Sequence, residues 1–445
     1  MTIDRRKFTL GLGLSALAAP ISRAFADGLP TSLLGANPIW IPASTNPVPV
    51  PTNLGISGRV VVIGGGMGGA TAAKYLRLWG GSGVKVTLVE RATTYTSNIM
   101  SNLVLNGSLA MSSLSFGYDR LRRNYGISVV TGEVTGIDPV GKQVMLKSGT
   151  HLPYDRLIVA PGIEFDVIPG LESAAAQTLV PHAWKAGPQT TALRDRIKTL
   201  RRGGVFVMSI PAAPYRCPPG PYERACLVAD YLKRNNPGAK VIVLDANPKI
   251  VAEAVNFGNA FNLTYAGIVD YRPGVSILSI DAAAGTVNTS AGPVKGDVIN
   301  AIPPQRAGGI IATAGLNNVG GRWAGVDVLS YESTAARAIH VIGDAAATTQ
   351  PKAGHIANQE AKVCVDAILR GFKGLPPDAA PVTNSACFSP ITATTASWLT
   401  AILAYDPATG TMKSVTGAVE APGPNAENFN QMKQWFSNLM TESFA

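Results

Sequence analysis

Charge is scarce in this chain and histidine is scarcer. Charged residues make up 15% of 445, and no run of Lys and Arg is interleaved with aromatics, which argues against nucleic-acid binding. The formal charge is +10, but Arg5, Arg6, Lys7 and Arg23 against Asp4 supply three of those units in the first 26 residues. The four histidines, at 151, 182, 340 and 355, show no metal-ligand spacing, so a metal centre is not expected and they read as structural. There is no G-x-S-x-G elbow, no Walker loop, no zinc knuckle and no C-x-x-C-H. Serine-hydrolase, P-loop and covalently haem-bearing chemistry are therefore not written in this sequence. The apolar stretch near the start is also shorter than the roughly 20 residues a membrane-spanning helix needs.

What is present is concentrated between Arg59 and Glu90, RVVVIGGGMGGATAAKYLRLWGGSGVKVTLVE. An apolar strand, a glycine cluster, a helical segment and a second strand ending in an acid form a βαβ unit with a dinucleotide fingerprint. Gly64 permits the tight turn, Gly66 lets backbone approach a pyrophosphate, and Gly69 lets the helix pack closely on its strand. Glu90 stands where a carboxylate accepts ribose hydroxyls, and Arg91 follows it.

The segment before this unit reads as processing and linkage. Residues 1–26 carry Arg5-Arg6-Lys7-Phe8, an apolar stretch and an A-x-A site at Ala24-Phe25-Ala26, the pattern of a cleaved twin-arginine signal peptide and of a periplasmic protein. Residues 27–57 hold six prolines and read as an extended arm.

The expected fold is α/β, with two Rossmann-like dinucleotide-binding folds arranged as in glutathione reductase and an α+β domain at the end. The first fold spans 58–167 and resumes at 295–374. Short strands are expected at Ile127–Thr131 and Gln143–Leu146, with Val134 between them. The run Tyr154–Gly162 is a buried strand ending in a small-residue turn at Ala160 and Gly162. His340–Ala345 is a strand running into Gly343-Asp344, where the carboxylate can bind ribitol hydroxyls. The helix after Lys352-Ala353-Gly354 can aim its N-terminal dipole at a flavin ring. FAD rather than NAD is therefore expected in the first fold. The insertion, 168–294, repeats the βαβ theme with strands Val205–Ile210 and Lys240–Leu244 and a helix over Tyr222–Lys233. Its turn, PAAPYRCPPGPYERA, lacks the glycine fingerprint, and its five prolines remove N–H donors a pyrophosphate needs. It reads as a nucleotide fold that no longer binds NAD(P)H.

Of the four cysteines, Cys226 and Cys364 sit in apolar helical segments and read as core. Cys217, before two prolines, and Cys387, in NSACFSP within the last domain (375–445), read as exposed. If the two meet they form a disulfide, and a purely structural staple is one reading of it.

The segments RVVVIGGGMGGATAAKYL, YDRLIVAPGIEF, VPHAWKAGPQT, PAAPYRCPPGPYERA, INAIPPQRAG, HVIGDA and NSACFSP resemble the flavoprotein subunit of flavocytochrome c sulfide dehydrogenase, from about Arg59 to the C-terminus. The resemblance implies FAD held near Gly64, Gly66, Gly69, Glu90, Arg91, Val134, Ala160, Gly162, Gly343, Asp344 and Lys352. It implies a redox-active disulfide between Cys217 and Cys387 beside the flavin, and an interface role for the last domain. The family's flavin-linking cysteine is replaced: Asn98, or Ser97 on another count, stands in its place, so FAD is expected to be held non-covalently. The implied activity is oxidation of hydrosulfide, with Glu223 as candidate acid/base and electrons passing to a separate c-type cytochrome subunit in a heterodimer. Glu223 reads equally as a helix N-terminal carboxylate favoured by the dipole. Two rivals share the fold: a sulfide:quinone reductase, and a flavoprotein electron-transfer or assembly partner without sulfide turnover. The apolar face Trp435, Phe436, Leu439 and Met440 reads as core or subunit packing rather than membrane attachment.

Overall fold

Consecutive apolar residues make the first strand, Gly58–Ile63 (β1), because a strand in the middle of a parallel sheet is covered on both faces. The glycine turn leads into helix α1, Met67–Gly80, and back to β2, Val84–Glu90, which pairs parallel to β1 with Val60 opposite Val86. Two short approaches fix this unit. Gly64 has φ +95°, and a methyl group there would stand 2.3 Å from the Ala160 carbonyl oxygen. A methyl group on Gly69 would stand 1.8 Å from the Gly64 carbonyl oxygen. The turn and the helix therefore close on each other only as glycine.

In this computed structural model the described residues are 47–445 apart from 53 and 416, all inside one unit running from Ile41 to Ala445. The expected signal peptide and most of the arm lie outside the described residues. Further strands are β3 Ser128–Thr131, β4 Arg156–Val159, β5 Val205–Ile210, β6 Lys240–Asp245, β7 Val269–Pro273, β8 Val298–Ala301, β9 Ala324–Asp327, β10 Glu332–Ser333, β11 Ile339–Val341 and β12 Ala346–Ala347. The first sheet has eight strands in the order β12-β9-β10-β11-β4-β1-β2-β3. Its centre, β11-β4-β1-β2-β3, is parallel, so the glycine turn and the Gly343-Asp344 end of β11 open at one edge. Helix α2, Gly220–Asn235, follows β5, and the second sheet is parallel in the order β7-β6-β5-β8. This is the double Rossmann-like architecture expected.

One boundary differs from expectation. The insertion does not end at Val294: Val298–Ala301 pairs with β5, with Phe206 opposite Val298. What ends near Val294 is an antiparallel meander of three strands, Ile277–Asp281, Thr286–Thr289 and Gly292–Lys295, and the fully buried run after it completes the inserted sheet.

Helix α3, Ala254–Asn259, lies in the insertion, and α4, Gly354–Phe372, packs on α1. The last domain is an antiparallel sheet of β13 Val382–Pro390, β14 Ala396–Asp406, β15 Thr411–Ser414 and β16 Val419–Glu420, closed by helix α5, Ala426–Phe444. Phe436, Leu439 and Met440 are buried, Phe444 stacks on Tyr95 at 4.9 Å and Trp435 packs on Phe388, so the apolar stripe of α5 is shared between the first domain and its own sheet. No helix among the described residues is long and apolar enough to cross a membrane.

Gly69→Ala is expected to destabilise the protein by about 3 kcal/mol, the upper part of the overpacking range, because the obstacle is a backbone carbonyl that cannot swing aside. Denaturant midpoints of the two proteins check this; equal midpoints would show that α1 can shift without cost.

Candidate functional site

A cavity of about 580 Å³ lies where the first fold, the insertion and the last domain meet. Its walls take Gly64, Gly66, Glu90, Arg91, Asn98, Val134, Ala160, Gly162, Gly343 and Asp344 from the first fold, Cys217 and Glu223 from the second, and Cys387 from the last. Three domains thus supply the residues singled out from sequence. Gly69 and Lys352 are not on this surface. Gly69 packs beneath the turn, as its contact with Gly64 requires.

The position of Lys352 is a correction. Its ammonium donates to the carbonyl oxygens of Asp344 (2.8 Å) and Ala346 (2.9 Å) and sits 3.8 Å from the centre of the Trp323 ring. It lines a second cavity, of about 570 Å³, on the far side of the Cys217 loop. Its carbonyl oxygen accepts the Cys217 backbone N–H at 2.7 Å. Lys352 holds the cysteine loop in place rather than facing the large cavity.

Between Ser97 and Asn98 the structure chooses. Ser97 is fully buried, its hydroxyl donating to the Ile99 carbonyl at 3.2 Å, and it does not reach the cavity wall. Asn98 lines the cavity, and its Oδ1 accepts the Ala186 N–H at 2.8 Å. The amide ties the loop after β2 to the inserted fold.

The cavity suits a flavin dinucleotide. The Gly64–Gly66 backbone lies against it, and the N-terminus of the 19-residue helix α4 opens onto it through Ala353, Gly354 and His355. Buried polar atoms wait there without partners: Asp344 Oδ1, and the indole nitrogens of Trp184 and Trp435, all in residues of its wall. An orphaned carboxylate oxygen beside a glycine cradle is the acceptor that sugar hydroxyls need. Glu90 turns one oxygen to the Gly65 N–H (2.7 Å) and the other to the Ala92 N–H (3.0 Å), which braces the turn.

The second fold lacks such a vacancy. Asp245, at the end of β6, is fully buried and accepts the hydroxyls of Tyr222 and Tyr271, each at 2.8 Å, together with the Asn247 N–H at 2.9 Å. The acid that would grip a ribose is consumed internally.

Cys217 and Cys387 were expected to be exposed; both are instead half-buried and turned into the cavity, where the structure records them as free thiols. Cys217 has φ +60°, a left-handed backbone that costs a non-glycine residue about 1–2 kcal/mol. Cys387 lies on β13, and the N–H of the preceding Ala386 donates to His355 Nδ1 at 2.9 Å. Burial holds His355 down at about 4, so its ring is neutral and can accept that bond. Burial is the main force raising both thiols, Cys387 to about 12 and Cys217 well above the usual range, and each is also within the field of Glu223. Cys226 and Cys364 are fully buried core residues.

Glu223 sits in the first turn of α2, 7% exposed, and accepts the Asn102 amide at 2.9 Å. Burial pushes it up to about 8. This carboxyl lines the same cavity as Cys217 and Cys387. Beside it Arg224 is 1% exposed and donates to Asn102 Oδ1, Asn300 Oδ1 and the carbonyls of His182 and Ala183, which fixes the Trp184 wall.

Sequence reasoning missed His355, Trp184, Arg216 and Trp435 as wall residues. Arg216 was findable as the neighbour of Cys217. His355 follows Gly354 at the helix start already singled out, and Trp184 lies in a segment quoted for the resemblance; Trp435 comes from the distant last helix, where its local sequence marks only an apolar face.

The fold and this cavity define a flavoprotein of the disulfide-reductase type. Residues 58–197 match the family described as pyridine nucleotide-disulphide oxidoreductase, and 190–303 match that described as sulfide dehydrogenase (flavocytochrome c) flavoprotein chain, central. The chain is 22% identical over 383 residues to the mitochondrial sulfide:quinone oxidoreductase of Dictyostelium discoideum, covering 80% of this chain and 79% of that protein. It is 35% identical over 118 residues to the type II NADH:quinone oxidoreductase NdhA of Mycobacterium tuberculosis, 26% of this chain and 24% of that one. The solved sulfide:quinone oxidoreductase of Aquifex aeolicus superposes with a TM-score of 0.72 at 17% identity, over 86% of this chain and 90% of that one. The two family matches, which adjoin, and the likeness along most of the chain support a place among the FAD-dependent disulfide oxidoreductases related to sulfide:quinone oxidoreductase.

Burial also pushes Glu360, whose Oε2 accepts the Gly343 N–H at 2.6 Å, up to about 8. Both Glu223 and Glu360 bind a proton more tightly in the folded protein than at the ordinary 4.5. Their contribution to stability is full below about 4.5 and is lost as pH rises through about 8. The melting temperature is therefore expected to fall from pH 6 to 8.5, and Glu223→Gln to flatten that fall. Calorimetry at several pH values decides; an unchanged slope in the variant would show that Glu223 is not titrating there.

Proposed function

We propose that this protein is an exported, FAD-dependent sulfide dehydrogenase subunit that oxidises hydrosulfide through Cys217 and Cys387 and passes electrons to a c-type cytochrome subunit. One observation carries the reading: two cysteines 170 positions apart, on different domains, face the same cavity as the glycine turn and Asp344, with the buried acid Glu223 beside them. FAD bound here supplies an acceptor for two electrons that can be released one at a time. Gly64, Gly66, Gly343 and Asp344 would hold it, and with Asn98 in place of a cysteine it is held without a covalent link.

The oxidised pair is read as a disulfide. Hydrosulfide attacks one sulfur, a new S–S bond forms as the old one breaks, and the bonding electron pair leaves on the other sulfur as a thiolate. Glu223 takes the proton that hydrogen sulfide gives up on becoming hydrosulfide, which a carboxyl near 8 can accept and release at neutral pH.

A cytochrome partner is favoured by the last domain. Val382, Ile402, Val415 and Val419 are exposed, and alternation along β13–β16 puts them on the face that also carries Phe388. Phe388 lines the cavity and packs on Trp435 at 5.6 Å, so an apolar docking face lies close to the flavin site. Export to the periplasm rests on the twin-arginine pattern at Arg5-Arg6. The second reading, reduction of a quinone, is favoured by the likeness along most of the chain to sulfide:quinone oxidoreductases.

Anaerobic sulfide is expected to bleach the flavin spectrum, and NADH to leave it unchanged because Asp245 and the proline-rich turn offer no nucleotide site. Cys217→Ser should retain flavin and slow bleaching by sulfide on the order of 10³-fold or more. Sulfide bleaching undiminished in that variant would overturn the cysteine role. Turnover with cytochrome c but not with a short-chain quinone is expected; the reverse would select the second reading.

A further inference from the structure

Glu253 is a buried acid that the steps above leave unused. It is 3% exposed, stands just before α3, and has φ +51°. One oxygen accepts the Ser389 hydroxyl at 2.5 Å; the other, Oε2, is buried without a partner. Ser389 is two residues beyond Cys387 on β13, so both side chains lie on the same face of the sheet. Ser397, opposite Ser389 in the register, adds a second hydroxyl beside the carboxyl. Glu253 is thus anchored under the strand that carries Cys387.

Acidic and thiol groups surround it. The titratable groups that bear on it come from three elements: Glu223 and Cys226 on α2, Cys387 on β13 and Glu420 on β16. Glu420 accepts the Val255 and Asn256 backbone N–H groups, each at 3.2 Å. No ion pair reaches Glu253 among the described residues. After burial, Glu253 is the strongest influence raising the Cys387 thiol, ahead of Glu223.

We propose that Glu253 is the charge switch of the Cys387 sulfur: with its proton on, it leaves room for a thiolate at Cys387, and without it the carboxylate opposes that anion. The two buried acids then divide the sulfur pair, Glu223 on the helix that follows Cys217 and Glu253 beneath the strand of Cys387. The transfer involved is a proton only: the Glu253 O–H bond breaks or forms, and no electron moves. Burial pushes Glu253 up to about 7, which sets the switch near neutral pH. The role concerns the pair read above as reacting, but its test uses no sulfide.

The flavin-loaded protein is reduced with a phosphine, exchanged anaerobically and pulsed with iodoacetamide between pH 5.5 and 9, and modified Cys387 is counted by peptide mass spectrometry. Below about pH 6 the wild type and Glu253→Gln are expected to react alike. Above about pH 8 the variant should react roughly tenfold faster, the equivalent of one pH unit. A ratio that stays constant across this range overturns the proposal, since a merely structural role would not follow pH. Ser389→Ala keeps the acid but removes a donor to its charged form, so the inflection in the Cys387 profile should move to higher pH; no movement counts against the proposal even where Glu253→Gln fails to fold. Failure of sulfide to bleach the flavin, with these profiles as expected, would remove the sulfide reading and leave the switch intact.

Discussion

The hydrogen bond from the Cys217 backbone N–H to the Lys352 carbonyl joins the inserted fold to the loop that follows Asp344. Lys352 is itself held by the Asp344 and Ala346 carbonyls and by the Trp323 ring. Cys217 meanwhile keeps a left-handed backbone, whose cost of about 1–2 kcal/mol is comparable to the net worth of one such bond. The neighbouring Gly220 N–H, bonded to the Cys217 carbonyl at 3.0 Å, starts α2 and brings Glu223 round to the same cavity. Cysteine, acid and dinucleotide cradle therefore share one frame.

Desolvation dominates the chemistry of that frame. The same burial that raises the thiols raises Glu223, Glu253 and Glu360 into the neutral range and lowers His355 to about 4. In water these groups would all be charged or neutral in the usual way, with none of the acids exchanging protons near pH 7. The shift of these acids comes from enclosure more than from charge partners.

The first βαβ unit was legible because its code is local: strand, glycines, helix and acid lie within 32 consecutive residues, and each has a backbone reason to be there. The proline-rich turn of the second fold was legible for the same reason, since proline removes backbone donors wherever it stands. The end of the insertion was not, because Val298–Ala301 is a buried strand in either sheet and only its pairing with β5 decides. Lys352 looked like a cofactor residue from its neighbours Gly343, Asp344 and Gly354; the path of one flexible side chain to two carbonyls placed it elsewhere.

The chain by itself determined the two Rossmann-like folds, the glycine cradle and the four sulfurs, all properties of residue type and short spacing. Only the tertiary structure decided that Asn98 rather than Ser97 faces the cavity, that Cys217 and Cys387 share it, and that Glu253 lies beneath Cys387. Those facts depend on which distant surfaces exclude water from each other. Burial and approach between segments hundreds of residues apart leave no periodic trace in the sequence that folds to make them.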